Sequence, residues 1–327
     1  MEVRELCEDS GDMVDVFHIG YPKSAGTWLR KIFNDHPGIE AIPSRESLHS
    51  IIFEDDNVFS PSDFVTRTAS KSRGLVSVYA TDGLSGWGLH YNYARIARRM
   101  AAAYPNARVL IIVREQVSFL ESLYRHELLF GYGFSPEKFL SSYCPRQNVL
   151  HGLSYDAVLT EYKRLFEHVH VELMERLTSK EVGRDALCRL LSFIGVEPIS
   201  NFGQRPLNIG MTGLAAGLTR GVNRFSGTKL QQFDQLAVYN RWRYSLSRIV
   251  SRVSKSTGVG KKFNFEEDMR AQIRRAFAGS NDRLSQMLDI DLAGWGYSSR
   301  RSGGEENIGE RHLLDKWFDP LRESGAP

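Results

Sequence analysis

The sequence predicts an α/β fold, three layers doubly wound around a central parallel sheet. Apolar runs of strand length at residues 14–19, in "GLVSVYATDG", in "ARVLIIVRE" and in "VHVELME" alternate with segments whose apolar residues recur every three or four positions. The run in "ARVLIIVRE" is continuously apolar, as in a strand covered on both faces. With 327 residues and 42% hydrophobic content the chain can fill a core of this size.

Residues 14–19 read as the first strand, and residues 27–33 carry Trp28, Leu29, Ile32 and Phe33 at helical spacing before Pro37 and Gly38 end the helix. The stretches "PSRESLHSIIFEDD" and "PSDFVTRTASKSRG" read as loops around short helices, and "GLVSVYATDG" reads as the second strand, closed by a turn. Residues 93–104 form a basic helix ahead of "ARVLIIVRE". From Val117 onward, Leu120, Tyr124 and Leu128 mark an amphipathic helix. Residues 155–168 are another helix, and "DALCRLLSFIGV" a further one that ends at Gly195. The Gly- and Arg-rich "NIGMTGLAAGLTRGVNRFSGTK" is expected to be a mobile loop with short helical pieces. Phe265, Met269, Ile273 and Phe277 fall at four-residue steps on a last helix, and "SSRRSGGEE" reads as a loose tail.

Composition narrows the function. Forty-two Lys and Arg against 39 Asp and Glu give a net charge of +3, too small a bias for wrapping nucleic acid, so any basic function is local. Cys7, Cys144 and Cys188 are far apart, with no metal-binding spacing, and neither a zinc site nor a disulfide framework is expected. The acidic N-terminus lacks a signal peptide's apolar stretch, and no run approaches the roughly 18 apolar residues of a membrane span. A reduced, cytoplasmic setting is expected. Nothing in the sequence fixes the oligomeric state.

The chemistry concentrates in "VFHIGYPKSAGTWLRK". Between the first strand and helix, "GYPKSAGT" would present backbone N–H groups, the Ser24 and Thr27 hydroxyls and the Lys23 ammonium to an anion at a helix N-terminus. A Walker A loop needs GxxxxGK followed by Ser or Thr. Here Gly20 and Gly26 have five residues between them, and Lys23 stands in the middle. An ordinary lysine in a βα loop is the plain alternative.

"YPKSAGTW" resembles the 5′-phosphosulfate loop of sulfotransferases that use 3′-phosphoadenosine 5′-phosphosulfate (PAPS), in which a Pro-Lys-Ser-Gly-Thr-Thr-Trp run follows the first strand. "VLIIVREQVSFLESLY" resembles the same family's 3′-phosphate motif, with Arg114 at a strand end and Ser122 eight residues later on the next helix. A guanidinium fork beside a hydroxyl suits a terminal phosphate, although an arginine at a strand end is often only an ion-pair residue. "SNDRLSQMLDIDLAGWGY" is similar to the ending of bacterial members, and its residues are expected to pack the last helix.

The resemblance implies a P-loop-NTPase-like sulfotransferase fold in one domain over 1–327. Its core would span about 14–200, with a cofactor-closing loop and C-terminal helices over 201–327. It implies a PAPS-dependent enzyme without metal, in which Lys23 contacts the bridging oxygen and Ser24, Ala25, Gly26 and Thr27 wrap the 5′-phosphate. Trp28 would stack on adenine, or serve as a core aromatic. Ala25 and Gly26 stand where the family has Gly and Thr, so one hydroxyl contact is missing. A general base is expected near Lys23. After His36 and Pro37 come Glu40, Glu46 and His49. Glu46 is the first candidate base, or else a solvated loop carboxylate, and His49 is the alternative.

Arg205, Arg220 or Arg224 would cap the donor or face solvent, and Arg125, His126, Tyr132 and Phe134 would line an acceptor cleft or belong to the core. The implied acceptor is a small molecule or glycan, with a carbohydrate or glycolipid hydroxyl preferred. Two other readings stay open. A nucleotide-dependent kinase would use Lys23 on ATP, against which stand the displaced lysine and the lack of an apolar run ending in an Asp for magnesium. A catalytically inactive nucleotide-binding module is the other.

Overall fold

The structure is a computed structural model that describes residues 14–43, 47–70, 72, 74–85, 92–129, 131–143, 152–198, 213–225 and 263–300. In chain order the described strands and α-helices are β1 (Val16–Gly20), α1 (Gly26–Asp35), β2 (Ile39–Ile42), α2 (Ser47–Phe53), α3 (Pro61–Thr68), β3 (Val76–Thr81), α4 (Tyr93–Ala103) and β4 (Arg108–Val113). There follow α5 (Gln116–Leu129), α6 (Pro136–Tyr143), α7 (Tyr155–Leu165), β5 (Val169–Leu173), α8 (Met174–Leu177), α9 (Gly183–Ile194), α10 (Gly213–Phe225) and α11 (Glu267–Leu288). They fall into two compact units: Met1–Glu115, Arg146–Pro206 and Phe277–Glu305 make the first, and Gln116–Pro145, Leu207–Ala276 and Glu306–Pro327 the second.

The first unit is built on a five-stranded sheet, β2-β3-β1-β4-β5, in which every pair is parallel. The predicted fold class is therefore observed. In β1 the alternation of side chains sorts the residues between the two faces. Val16 lies with Val78, Leu110 and Ile112 in a core completed by Leu29 and Phe33 of α1 and by Leu187, Leu190 and Leu191 of α9. Phe17 points the other way, its ring 5.8 Å from Tyr79 and 5.7 Å from Tyr104, and Phe64 of α3 joins the same cluster. Each aromatic pair meets edge-on, the favoured geometry for rings. Helix α9 ends as expected at Gly195, whose φ of 99° needs a residue without Cβ. Arg108 donates to the carbonyl of Ile194 at 2.9 Å in the last turn.

In the second unit Tyr124 of α5 packs against Phe139, Phe263 and Phe265 at ring distances of 5.2, 5.1 and 5.9 Å. The buried Glu121 carboxylate accepts the Phe265 N–H at 2.9 Å. Asn223 of α10 donates to the carbonyls of Leu128 and Tyr132, both at 2.9 Å, which pins α10 to the end of α5.

Two expectations need correction. "IEAI" is strand β2, paired with β3 from Ile39↔Val76 to Ile42↔Tyr79, where the sequence reading placed none. Residues 213–225, expected within a mobile loop, form the continuous helix α10. Among the residues of α10 whose side chains are described, Ala215, Ala216, Thr219 and Asn223 are buried.

Candidate functional site

The C-terminal edge of β1 hands the chain to a short loop that leads into α1. Tyr21 anchors its start: the ring is buried edge-on against Tyr155 at 5.2 Å, and the hydroxyl donates to the carbonyl of Gly152 at 2.5 Å. Lys23 and Ala25 then adopt φ of 66° and 68°, in the left-handed region. For residues with a Cβ this costs about 1–2 kcal/mol each. Ala25 is also the N-cap of α1 and supplies no side-chain hydrogen bond, so its place in the first turn lies open to an external acceptor. The Ser24 hydroxyl is fully buried and has no partner among the described residues. Lys23 and Thr27 are exposed. Uncapped N–H groups, an orphaned hydroxyl and an ammonium thus share one loop, and that set fits an oxyanion.

Gly26, the first residue of α1, lacks the threonine side chain of the resembled motif. A Cβ there would sit 3.3 Å from Asp82 Oδ1 and 3.4 Å from Arg30 Nη1. These two groups form an ion pair, and Arg30 Nη2 also donates to the Thr27 hydroxyl at 3.4 Å. The missing hydroxyl thus coincides with a built ion pair. Asp82 also corrects the sequence reading that no apolar strand ends in an Asp: it directly follows β3, the neighbour of β1, but its carboxylate is held by Arg30.

Arg114 lies at the end of β4, the other neighbour of β1, and donates from Nη1 to the carbonyl of Lys23 at 2.8 Å. The structure therefore brings Arg114 to the loop. Burial lowers the Arg114 pKa, and the nearby Glu175 carboxylate works against that shift. The Tyr155 hydroxyl donates to the Arg114 carbonyl at 2.7 Å, and the Glu115 N–H donates to Glu175 Oε1 at 3.1 Å. Burial raises the Glu175 pKa, opposed by the N–H donors and by Arg114. Ser122 lies on α5 in the second unit, with its side chain buried.

The remaining candidates separate. Trp28 is partly buried and packs against the core between the sheet and α1, so at least part of the ring serves as a core aromatic. Glu46 lies outside the described residues, as does Arg205. His49 is exposed on α2, its ring 5.4 Å from Phe53. His36 Nδ1 accepts the Gly38 N–H at 3.0 Å, which leaves Nε2 to donate to the Glu197 carbonyl at 2.9 Å. The His-Pro pair thus locks the turn after α1. Glu40 accepts from the Ser70 hydroxyl and the Ser72 N–H. In the second unit Arg125 is buried and donates to the Phe263 carbonyl at 2.7 Å, which gives it a structural partner. Arg220 and Arg224 line a cavity of about 480 Å³ together with Gly133, Ser135, Gly217 and Gly221.

Sequence reasoning missed His18, Arg30, Asp82, Tyr155, Glu175 and Tyr297. His18 is fully buried in β1 and edge-on to Phe33 at 5.5 Å, and neither ring nitrogen has a partner among the described residues. Burial, with a smaller contribution from Arg30, lowers its pKa from 6.5 to about 3. A polar residue in an apolar strand was the available signal. Among the described residues no group of three or more His, Cys, Asp or Glu could hold a metal ion, and no helix is long and apolar enough to cross a membrane.

No protein-family model matches the chain, and no curated protein sequence matches it. Among solved structures it is similar to the crystal structure of a sulfotransferase from Alicyclobacillus acidocaldarius. The identity is 18% and the TM-score 0.55, over 87% of this chain and 99% of that one. At that identity the likeness shows the fold: a parallel α/β sheet flanked by helices, arranged as in a sulfotransferase.

Proposed function

We propose that the chain is a sulfotransferase that moves a sulfuryl group from PAPS to an acceptor hydroxyl, on a carbohydrate or glycolipid. The observation that carries this reading is the loop of Lys23 to Thr27: a helix start without a side-chain cap and a buried hydroxyl with no partner among the described residues, tied through the Lys23 carbonyl to Arg114. The fold shared with a sulfotransferase and the spacing of Arg114 and Ser122 support the same reading. The donor's 5′-phosphate would rest on Ser24, Ala25, Gly26 and Thr27, and its 3′-phosphate on Arg114 and Ser122. Trp28 would offer the adenine whatever part of its ring the core leaves uncovered.

In this reading the acceptor oxygen bonds to sulfur as the bond from sulfur to the phosphate oxygen breaks. The Lys23 ammonium offsets the charge that gathers on the departing phosphate, and the acceptor's proton passes to Glu46 or His49. Incubation with PAPS labelled in the sulfuryl group and a panel of sugar, glycolipid and phenol acceptors tests it. Label is expected on a sugar hydroxyl, and transfer to none of the panel contradicts the reading.

One observation favours a second reading, a kinase: Asp82 directly follows β3, the neighbour of the strand that leads into the Lys23 loop. Its ion pair with Arg30 weighs against magnesium there. Transfer of phosphate from labelled ATP, dependent on magnesium, would select that alternative.

A further inference from the structure

We infer that Arg114 is a positioning residue for the phosphate loop, bracing the Lys23–Ser24 peptide to the end of β4. Lys23 and Ala25 hold left-handed backbone on either side of Ser24. Two such residues persist in a short loop only where their surroundings over-determine the conformation. The peptide unit between Lys23 and Ser24 is held at both ends. Its N–H donates to the Tyr21 carbonyl at 3.1 Å, and its C=O accepts from Arg114 at 2.8 Å. The second bond is charge-assisted and the stronger of the two kinds. It joins residues 91 positions apart, so the loop takes its shape from β4 as well as from β1.

Arg114 is itself held. Tyr155 grips its carbonyl, Glu175 grips the next N–H, and the second oxygen of Glu175 accepts from the Tyr297 hydroxyl at 3.1 Å. Tyr155 and Tyr297 are both buried. A chain of contacts thus runs from the "AGWGY" ending, where sequence reading saw only packing, to the residue expected to carry the chemistry. A guanidinium has five N–H donors, and only the bond to Lys23 engages Arg114's among the described residues. One side chain can therefore brace the loop and still face a phosphate.

The nucleotide arm of the test rests on the donor reading above, and the exchange arm does not. Amide hydrogen exchange at Ser24 is measured in the ligand-free chain for wild type, Arg114→Ala, Arg114→Lys and Tyr297→Phe. Calorimetry then follows AMP, which has no 3′-phosphate, and 3′-phosphoadenosine 5′-phosphate (PAP). Arg114→Ala is expected to speed Ser24 exchange and to weaken AMP binding, each about tenfold, the scale of one charge-assisted hydrogen bond. Arg114→Lys recovers part of both, and Tyr297→Phe shows a smaller change in the same direction. If the alanine variant does not fold, the other two carry the comparison. An unchanged Ser24 amide overturns the inference, and so does an AMP affinity that the variants leave unmoved or tightened. Should wild type bind neither nucleotide, the donor reading falls and the Ser24 exchange alone decides the brace.

Discussion

The loop after β1 and the open face of α10 are both made of glycines and cations, yet they are built in opposite ways. In the loop, Lys23 and Ala25 are held in left-handed backbone, the Ser24 hydroxyl is buried with no partner among the described residues, and Arg114 clamps the intervening peptide. On α10, Arg220 and Arg224 are exposed one helical turn apart, and a Cβ on Gly217 or Gly221 would meet nothing within 4 Å. The first arrangement fixes its donors in place. The second presents long side chains to solvent, Arg220 with a hydrogen bond to Tyr124, and an exposed side chain loses conformational freedom when a ligand fixes it. Position in the fold, more than composition, separates a preorganised set of donors from a solvent-facing one.

The largest effect should come from the loop's own cation. Lys23→Ala is expected to lower turnover about 100-fold or more in a labelled-donor assay, the scale for removing a transition-state charge stabiliser. Near-normal turnover would place Lys23 with the α10 arginines as a surface cation.

Next is the buried base of β1 that lies beneath the loop. The His18 pKa is lowered from 6.5 to about 3, so the unfolded chain binds the proton first as the pH falls. The stability that neutral His18 confers is therefore complete above pH 6.5 and is lost as the pH drops towards 3. Between pH 7.5 and pH 5 this amounts to about 2 kcal/mol. Urea unfolding at pH 7.5 and pH 5 checks it, and a His18→Gln chain should lack that part of the decline. Equal pH dependence in the two chains would remove His18 as the cause.

The smallest effect is expected on α10. Arg220→Ala combined with Arg224→Ala should change PAP affinity by no more than about twofold, since the gain from an exposed cation is small and screened. A tenfold loss would show that the helix caps the donor and would dissolve the contrast drawn above.

Much of this fold is legible in the sequence, and the reasons are local. The run in "ARVLIIVRE" and the three-and-four spacing after Val117 announce β4 and α5, because a doubly covered strand and an amphipathic helix leave distinct periods. Strand β2 leaves almost none: it has four residues, and Glu40 and Ala41 are only partly buried. Helix α10 is obscured by Gly213, Gly217 and Gly221, residues of low helix propensity. The site divides in the same way. Lys23, Ser24 and Arg114 can be read from motif and spacing. The bond between Arg114 and the Lys23 carbonyl, the ion pair that accounts for Gly26, and the support from Glu175 and Tyr297 depend on contacts between distant segments, which no local pattern encodes.

On the proposed reading, the loop and Arg114 together recognise a nucleotide with phosphate at both the 5′ and 3′ positions. Calorimetric titration of the wild-type chain with PAP, ATP and AMP addresses it most directly. PAP should bind at least about tenfold more tightly than either of the others, the scale of the charge-assisted hydrogen bonds to a second phosphate. Equal affinity for PAP and AMP would contradict it.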